Sequence, residues 1–387
     1  MAVPWYTLGM KSRLIIMTAL FLLAVLPLAG GVVRGLPEGF FSFPPLIVQK
    51  PLHAPFSVPV FVAIAAFCIF MAMLYLFPRR FGFALPRRPP RACPVGESVQ
   101  KPPPLPPTRK FPLHGKLGLA LLAISWVVAW GRFGLPPAIA SHTFFPLWLG
   151  FVFTMDGLVF RRSGHSLFAD RRGTFLLLFP VSALSWWYFE LLNRLVRNWW
   201  YSIPMPFGPA HYLIYSSLCF STVLPAIFEV HAWLASFPVL RLRHVRGPQV
   251  RWPGAAGSFA VGGAVLLPLI PLFPDPLFFL VWLAPLALLA GALALAGVAT
   301  PFSGIRRGDW SAVLLLALAA LICGFFWETW NFHSSPRWAY SVPYVDCFHL
   351  FEMPAVGYAG YLPFGPVCAC FWIAWTALLP AKRRPVL

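Results

Sequence analysis

A chain of 387 residues that is 59% apolar and only 11% charged, with a mean hydropathy of +0.73, is not a soluble globular protein. Its net charge of +19 comes from 30 Lys and Arg against 11 Asp and Glu. The basic residues stand in short loops beside apolar runs, with no nucleic-acid-binding module around them, so a nucleic-acid partner is excluded and membrane lipid is expected instead. An all-α polytopic integral membrane protein follows, because in lipid each segment must satisfy its own backbone polar groups.

Apolar runs predict ten spans at roughly 14–33, 58–77, 117–135, 144–160, 174–193, 211–236, 258–273, 277–299, 311–331 and 355–379. Each is near the length needed to cross a hydrocarbon core of about 30 Å. The first, behind Lys11 and Arg13, reads as a retained anchor, since its Leu-Ala-Gly-Gly end is a poor cleavage site. With both termini inside, 24 of the 30 Lys and Arg fall on the cytoplasmic side, which predicts N-in/C-in topology in a bacterial inner membrane.

Residues 1–85 form an N-terminal helix pair, and 86–112 a basic, Pro-rich cytoplasmic linker that should be extended. Residues 113–252 and 253–387 then read as two parallel repeat units of four spans each, the second followed by the basic tail. Glu190 and Glu328, Asn193 and Asn331, Trp200 and Trp338, and Pro225 and Pro363 are each 138 positions apart. Tyr201 with Tyr340, and Pro204 with Pro343, need an offset of 139. Each third span thus ends with a carboxyl and an amide at i and i+3 on one helix face.

Intramembrane acids are costly and call for a partner, a cavity or protonation. Arg194 at i+4 offers Glu190 a helix-end ion pair, an alternative to a functional role. Glu328 has Phe332 in that place. Among Phe325, Phe326, Trp327 and Trp330, desolvation favours its neutral form, from which it could donate a proton. The following segment carries Trp338, Tyr340, His349 and Glu352. Glu328, Glu190 and Glu352 are therefore the candidate acids. Trp327, Trp330, Asn331, Trp338, Tyr340, His349, Asn193, Trp200 and Tyr201 are the candidate pocket residues.

Asp156 and Glu229 lie in spans where inter-helix hydrogen bonding accounts for them. No cofactor or metal is expected. Asp346, His349 and Glu352 match no metal spacing, and His211 and His231, 20 positions apart, are a weak haem pair. The seven cysteines make no disulfide framework.

Trp327-Glu328, then Trp338-x-Tyr340, then Phe351-Glu352-Met353-Pro354 resembles the pattern of lycopene-cyclase-domain membrane proteins. Phe189-Glu190, Trp200-Tyr201 and Glu229 echo it. The resemblance implies that an acid protonates an isoprenoid, with Glu328 in the place of the family's Asp and Glu352 as one acid of its acidic pair. Met353 stands where that pair has its second acid, and each unit has four spans rather than about three. Phe-Glu-Met-Pro and Gly-Tyr-Leu-Pro-Phe also look like segments of bacterial multi-span membrane proteins.

The leading expectation is an enzyme acting on an isoprenoid or other lipid by carboxylic-acid proton transfer in an aromatic-lined pocket at the exoplasmic face. A transporter or lipid translocase, and a non-catalytic membrane subunit, are the alternatives.

Overall fold

The computed structural model describes residues 8–45, 50–84, 109–131, 133–203 and 207–379, so the Pro-rich linker up to residue 108, Pro204 and the basic tail lie outside the described residues. The fold is mostly helical. The described residues include nine helices long and apolar enough to cross a membrane.

In chain order the longer helices are α1 (Met10–Arg34), α2 (Val58–Leu76), α3 (Leu113–Gly131), α4 (Phe144–Ser163), α5 (Arg172–Val196), α6 (Pro209–Phe220) and α7 (Val223–Ala235). They continue as α8 (Ala255–Leu272), α9 (Leu280–Leu295), α10 (Ser311–Phe332) and α11 (Tyr361–Ala377). The expected span at 277–299 forms α9 of only 16 residues. At 1.5 Å per residue it rises roughly 24 Å, and the turn before it supplies further apolar length.

Two expected boundaries move. α3 ends at Gly131 rather than 135, where Gly134 at φ +64° and the Pro136-Pro137 pair turn the chain. The span expected at 211–236 breaks at Ser221-Thr222 into α6 and α7, because Pro225 cannot donate to the Ser221 carbonyl. Pro363 has the same third position in α11, which follows a 3-10 turn at Ala355–Gly360.

Small residues set the closest crossings. α3 packs on α4 and α8 packs on α9, with Gly118 and Gly291 at the contacts. A Cβ on Gly118 would lie 2.8 Å from the Thr154 nitrogen, and one on Gly291 would lie 2.3 Å from the Ala260 nitrogen. From these pairs α4 leans on α7 and α7 on α5, while α9 leans on α11 and α11 on α10. The two groups meet where α7 packs on α10 and α5 on α11, and α1 covers α8 and α9. The apolar core is shared across these contacts, from Leu147 and Phe189 to Ala320 and Phe371.

Four short strands are the element that helical periodicity does not foresee. β1 (Trp199–Ser202) pairs antiparallel with β2 (Arg337–Tyr340), and β3 (His349–Leu350) with β4 (Met353–Pro354). β1 and β2 join the segments just past the ends of α5 and α10. We call this the strand end of the bundle. The opposite end, with Arg79, Arg80, Arg161, Arg162, Arg306 and Arg307, is the basic end.

Candidate active site

Each strand is fixed to its helix by one asparagine. The Asn193 amide donates to the Trp199 carbonyl at 2.7 Å and accepts from the Trp199 N–H at 3.1 Å. Asn331 does the same to Trp338, at 2.6 and 2.8 Å. Both side chains are buried, so each amide stands in for the missing strand neighbour of one residue. The clamp matches Trp199, not Trp200, with Trp338. The extra residue lies before the tryptophan, in the loop after Asn331, so an offset of 139 holds for both Trp and Tyr.

The strand register pairs Trp199 with Tyr340, Trp200 with Ala339 and Tyr201 with Trp338. Exchanging Trp199 with Trp338 and Tyr201 with Tyr340 leaves this register unchanged. Successive side chains alternate between faces, so Trp199, Tyr201, Trp338 and Tyr340 share one face and Trp200 takes the other. The shared face lines a cavity of about 160 Å³, closed further by Trp186, Trp282, Trp327, Tyr361 and Phe364.

The carboxyls lie behind this aromatic lining rather than in it. Glu190, 5% exposed, accepts from Trp186 Nε1 at 3.0 Å, Trp199 Nε1 at 3.1 Å and the Tyr201 hydroxyl at 2.5 Å, all at Oε1. Glu328, 0% exposed, accepts from the Tyr340 and Tyr361 hydroxyls, each at 2.7 Å, also at Oε1. Trp338 Nε1 in turn donates to the Tyr340 oxygen at 2.8 Å. Glu328 Oε2 is buried with no hydrogen-bond partner among the described residues. Burial, then the nearby Glu190 carboxyl, pushes the Tyr201 phenol well up, and burial with Glu328 does the same for Tyr340. Both phenols are thus held neutral, as donors.

The third donor differs between the clusters for a steric reason. Trp186 precedes Glu190 by four residues, where Gly324 precedes Glu328. The Tyr361 ring occupies the space this glycine leaves: a Cβ there would lie 2.4 Å from ring atom Cδ2. Gly324→Ala is expected to displace Tyr361 from Glu328 and to cost about 1–3 kcal/mol of overpacking. Thermal unfolding of Gly324→Ala, with Gly324→Ala/Tyr361→Ala as the variant that reopens the space, checks it. Non-additivity is the expected result: Gly324→Ala should lower the midpoint less in the Tyr361→Ala background than in the native one.

Other sequence candidates are placed elsewhere. Arg194 does not pair with Glu190; it donates to the carbonyls of Phe40 and Ser42 at 2.5 and 2.9 Å, drawn out by the loop that crosses the helix end. Glu352 pairs with Arg337 at 3.0 Å. His349 sits half-exposed with Asp346, which also holds Lys50. Trp330 packs against Trp148, Phe151 and Phe326, away from the cavity. Trp327 does line it.

Asp156 accepts from His114 at 2.8 Å and from the Phe168 N–H at 2.9 Å, as inter-helix bonding predicts. Glu229 is fully buried beside Asp156, the one group that acts on it by charge and hydrogen bonding among the described residues. Among the described residues no cluster of three or more His, Cys, Asp or Glu could hold a metal. Trp186, Trp199, Trp282, Tyr361 and Phe364 are among the site residues that sequence reading missed. The i−4 position of Trp186 was a usable signal for the first, but Tyr361 is 33 residues from its partner.

No protein-family model, curated protein or solved structure matches this chain. The functional reading rests on the geometry.

Proposed function

We propose that this chain is a membrane-embedded enzyme acting on an isoprenoid or other lipid, with Glu328 as its acid. One observation carries the reading: Trp186, Trp199, Tyr201, Trp338, Tyr340 and Tyr361, which surround both carboxyls, all line one aromatic cavity. Glu328 would protonate a substrate double bond through the Tyr361 or Tyr340 hydroxyl. With Glu328 protonated, its O–H would donate to the phenol oxygen and free the phenol proton for the substrate; the π electrons then form the new C–H bond while the phenol O–H breaks and is remade from the carboxyl, which leaves a carboxylate. The cation left on the substrate would lie against Trp199, Trp327 and Trp338, where desolvated cation–π contact is worth up to about 2 kcal/mol. Loss of a proton from a neighbouring carbon to the phenol oxygen, with the phenol proton passed back to the carboxylate, restores the acid, so the net reaction is an isomerisation or cyclisation without an oxidant.

The test is turnover of linear polyenes and polyprenyl alcohols by the reconstituted protein, read as products of unchanged mass. Loss of those products in Glu328→Gln is expected, and full turnover in that variant would remove the proposed acid. A proton-coupled lipid translocase is the second reading, favoured by the fully buried Glu229 carboxyl beside Asp156. Proton-dependent uptake abolished by Glu229→Gln, with no chemical product, would select it.

The reading includes ten crossings, with α9 as the short one, two units of four spans after the α1–α2 pair, and both termini in the cytoplasm of a bacterial cell. The strand end then faces outward, as the basic residues at the other end favour. With the native cysteines replaced, a cysteine at Lys50 is expected to react with an impermeant maleimide in intact cells. One at Arg251 should react only after lysis. The reverse pattern would invert the topology.

A further inference from the structure

α2 is fastened at both ends and stands away from the bundle between them. At the strand end Val60, Phe61 and Ile64 pack on Val342, Val345 and Val356, and the Ser57 N–H donates to the Tyr344 carbonyl at 2.9 Å. At the basic end Leu74 packs with Phe83 and Leu314, and the Tyr75 hydroxyl donates to the Leu314 carbonyl at 2.6 Å. Leu74 is the one buried residue of α2. Between these fastenings Phe67 and Met71 face Leu286, Ala317 and Pro366 across a slot of about 1050 Å³.

The slot is open along one side rather than enclosed, and its volume is close to that of small-molecule sites, roughly 300–1,000 Å³. Asn198, Trp199, Tyr340 and Tyr344 supply polar groups at one end; apart from the Trp282 indole and the thioethers of Met71 and Met353, the other lining side chains are hydrocarbon. Trp199, Trp282, Tyr340 and Met353, with Gly357 and Gly360, line both the slot and the aromatic cavity. The slot therefore adjoins the acid site across a shared wall, and its polarity runs from an amphipathic top to an apolar shaft.

We propose that the slot behind α2 is a binding site for a single linear hydrocarbon chain of a membrane lipid, held with its polar end beside Asn198 and Tyr344. This names the substrate class of the acid site and rests on that reading only for the chemistry. Chain binding stands without it. The slot opens along a helix whose other face is built for lipid, with Ile69 63% exposed, so a chain reaches the site from within the bilayer rather than from water.

The test uses the full-length protein in vesicles with two photoreactive probes, a diazirine-bearing palmitic acid and a diazirine-bearing farnesol, followed by peptide mapping. The expected result is adducts on Phe67, Leu286 and Ala317. Ala317→Trp should reduce slot labelling severalfold while labelling of lipid-facing Ile69 is unchanged. Where Ala317→Trp does not fold, Met71→Trp fills the slot from the opposite wall. Labelling confined to the outer face of α2, or slot labelling unaffected by either tryptophan, overturns the proposal. The probe that gives slot adducts separates an acyl from an isoprenoid source. Glu328→Gln keeps the two readings apart: slot labelling is expected to persist in it, and turnover retained there sinks the acid assignment without touching the slot.

Discussion

Glu328→Gln is expected to lower turnover by roughly 10²–10⁴-fold while the protein remains folded, because it removes a positioned proton donor and little else. The amide has the shape of the carboxyl, and its oxygen can still accept from Tyr340 and Tyr361, which both bond Oε1. Its NH2 then falls where Oε2 stands, a buried position without a partner. That orphan costs about 1–3 kcal/mol, so a modest fall in thermal midpoint accompanies the kinetic loss. Glu328→Asp provides the contrast. It keeps the acid but withdraws it by one methylene from both phenols, and its turnover should lie between the other two. Single-turnover product formation and thermal unfolding on the same preparations measure the two effects separately. A fall in both by equal measure in Glu328→Leu and Glu328→Gln would make the residue a packing element, not an acid.

Asn331→Leu is expected to give the largest loss of stability at the site. Leucine fills a similar volume but leaves the Trp338 N–H and C=O without partners, at two bonds of 2.8 and 2.6 Å. At about 1–3 kcal/mol for each buried group left unpaired, the cost is about 2–6 kcal/mol. Because β2 pairs with β1, the damage should cross to Tyr201, which faces Trp338 in the register. Hydrogen exchange at Trp199 and Tyr201 measures that transfer. Protection unchanged across β1 in the variant would show that the strands are held independently. Asn193→Leu is the matched experiment from the other helix, and the two together form a cycle whose non-additivity reports the coupling.

The sequence by itself determined the solvent this chain folds in and the type of its elements. Long apolar runs in a chain with few charges admit helices spanning lipid, since no other open structure satisfies the backbone there. It also showed that Glu190 and Glu328, with their asparagines, stand at matching helix ends, because a fixed spacing among rare residues is visible without coordinates. Only the tertiary structure decided what those groups touch. Arg194 was the obvious partner of Glu190 by helix geometry, yet carbonyls at Phe40 and Ser42 from a distant loop take it instead. The strands were illegible because each is four residues long and needs the other, from 138 positions away, to exist at all. Tyr361 became a partner of Glu328 only because Gly324 leaves room for its ring. Local periodicity is carried by neighbours along the chain, whereas a buried carboxyl is satisfied by whichever donors packing brings to it, and packing is a property of the whole bundle.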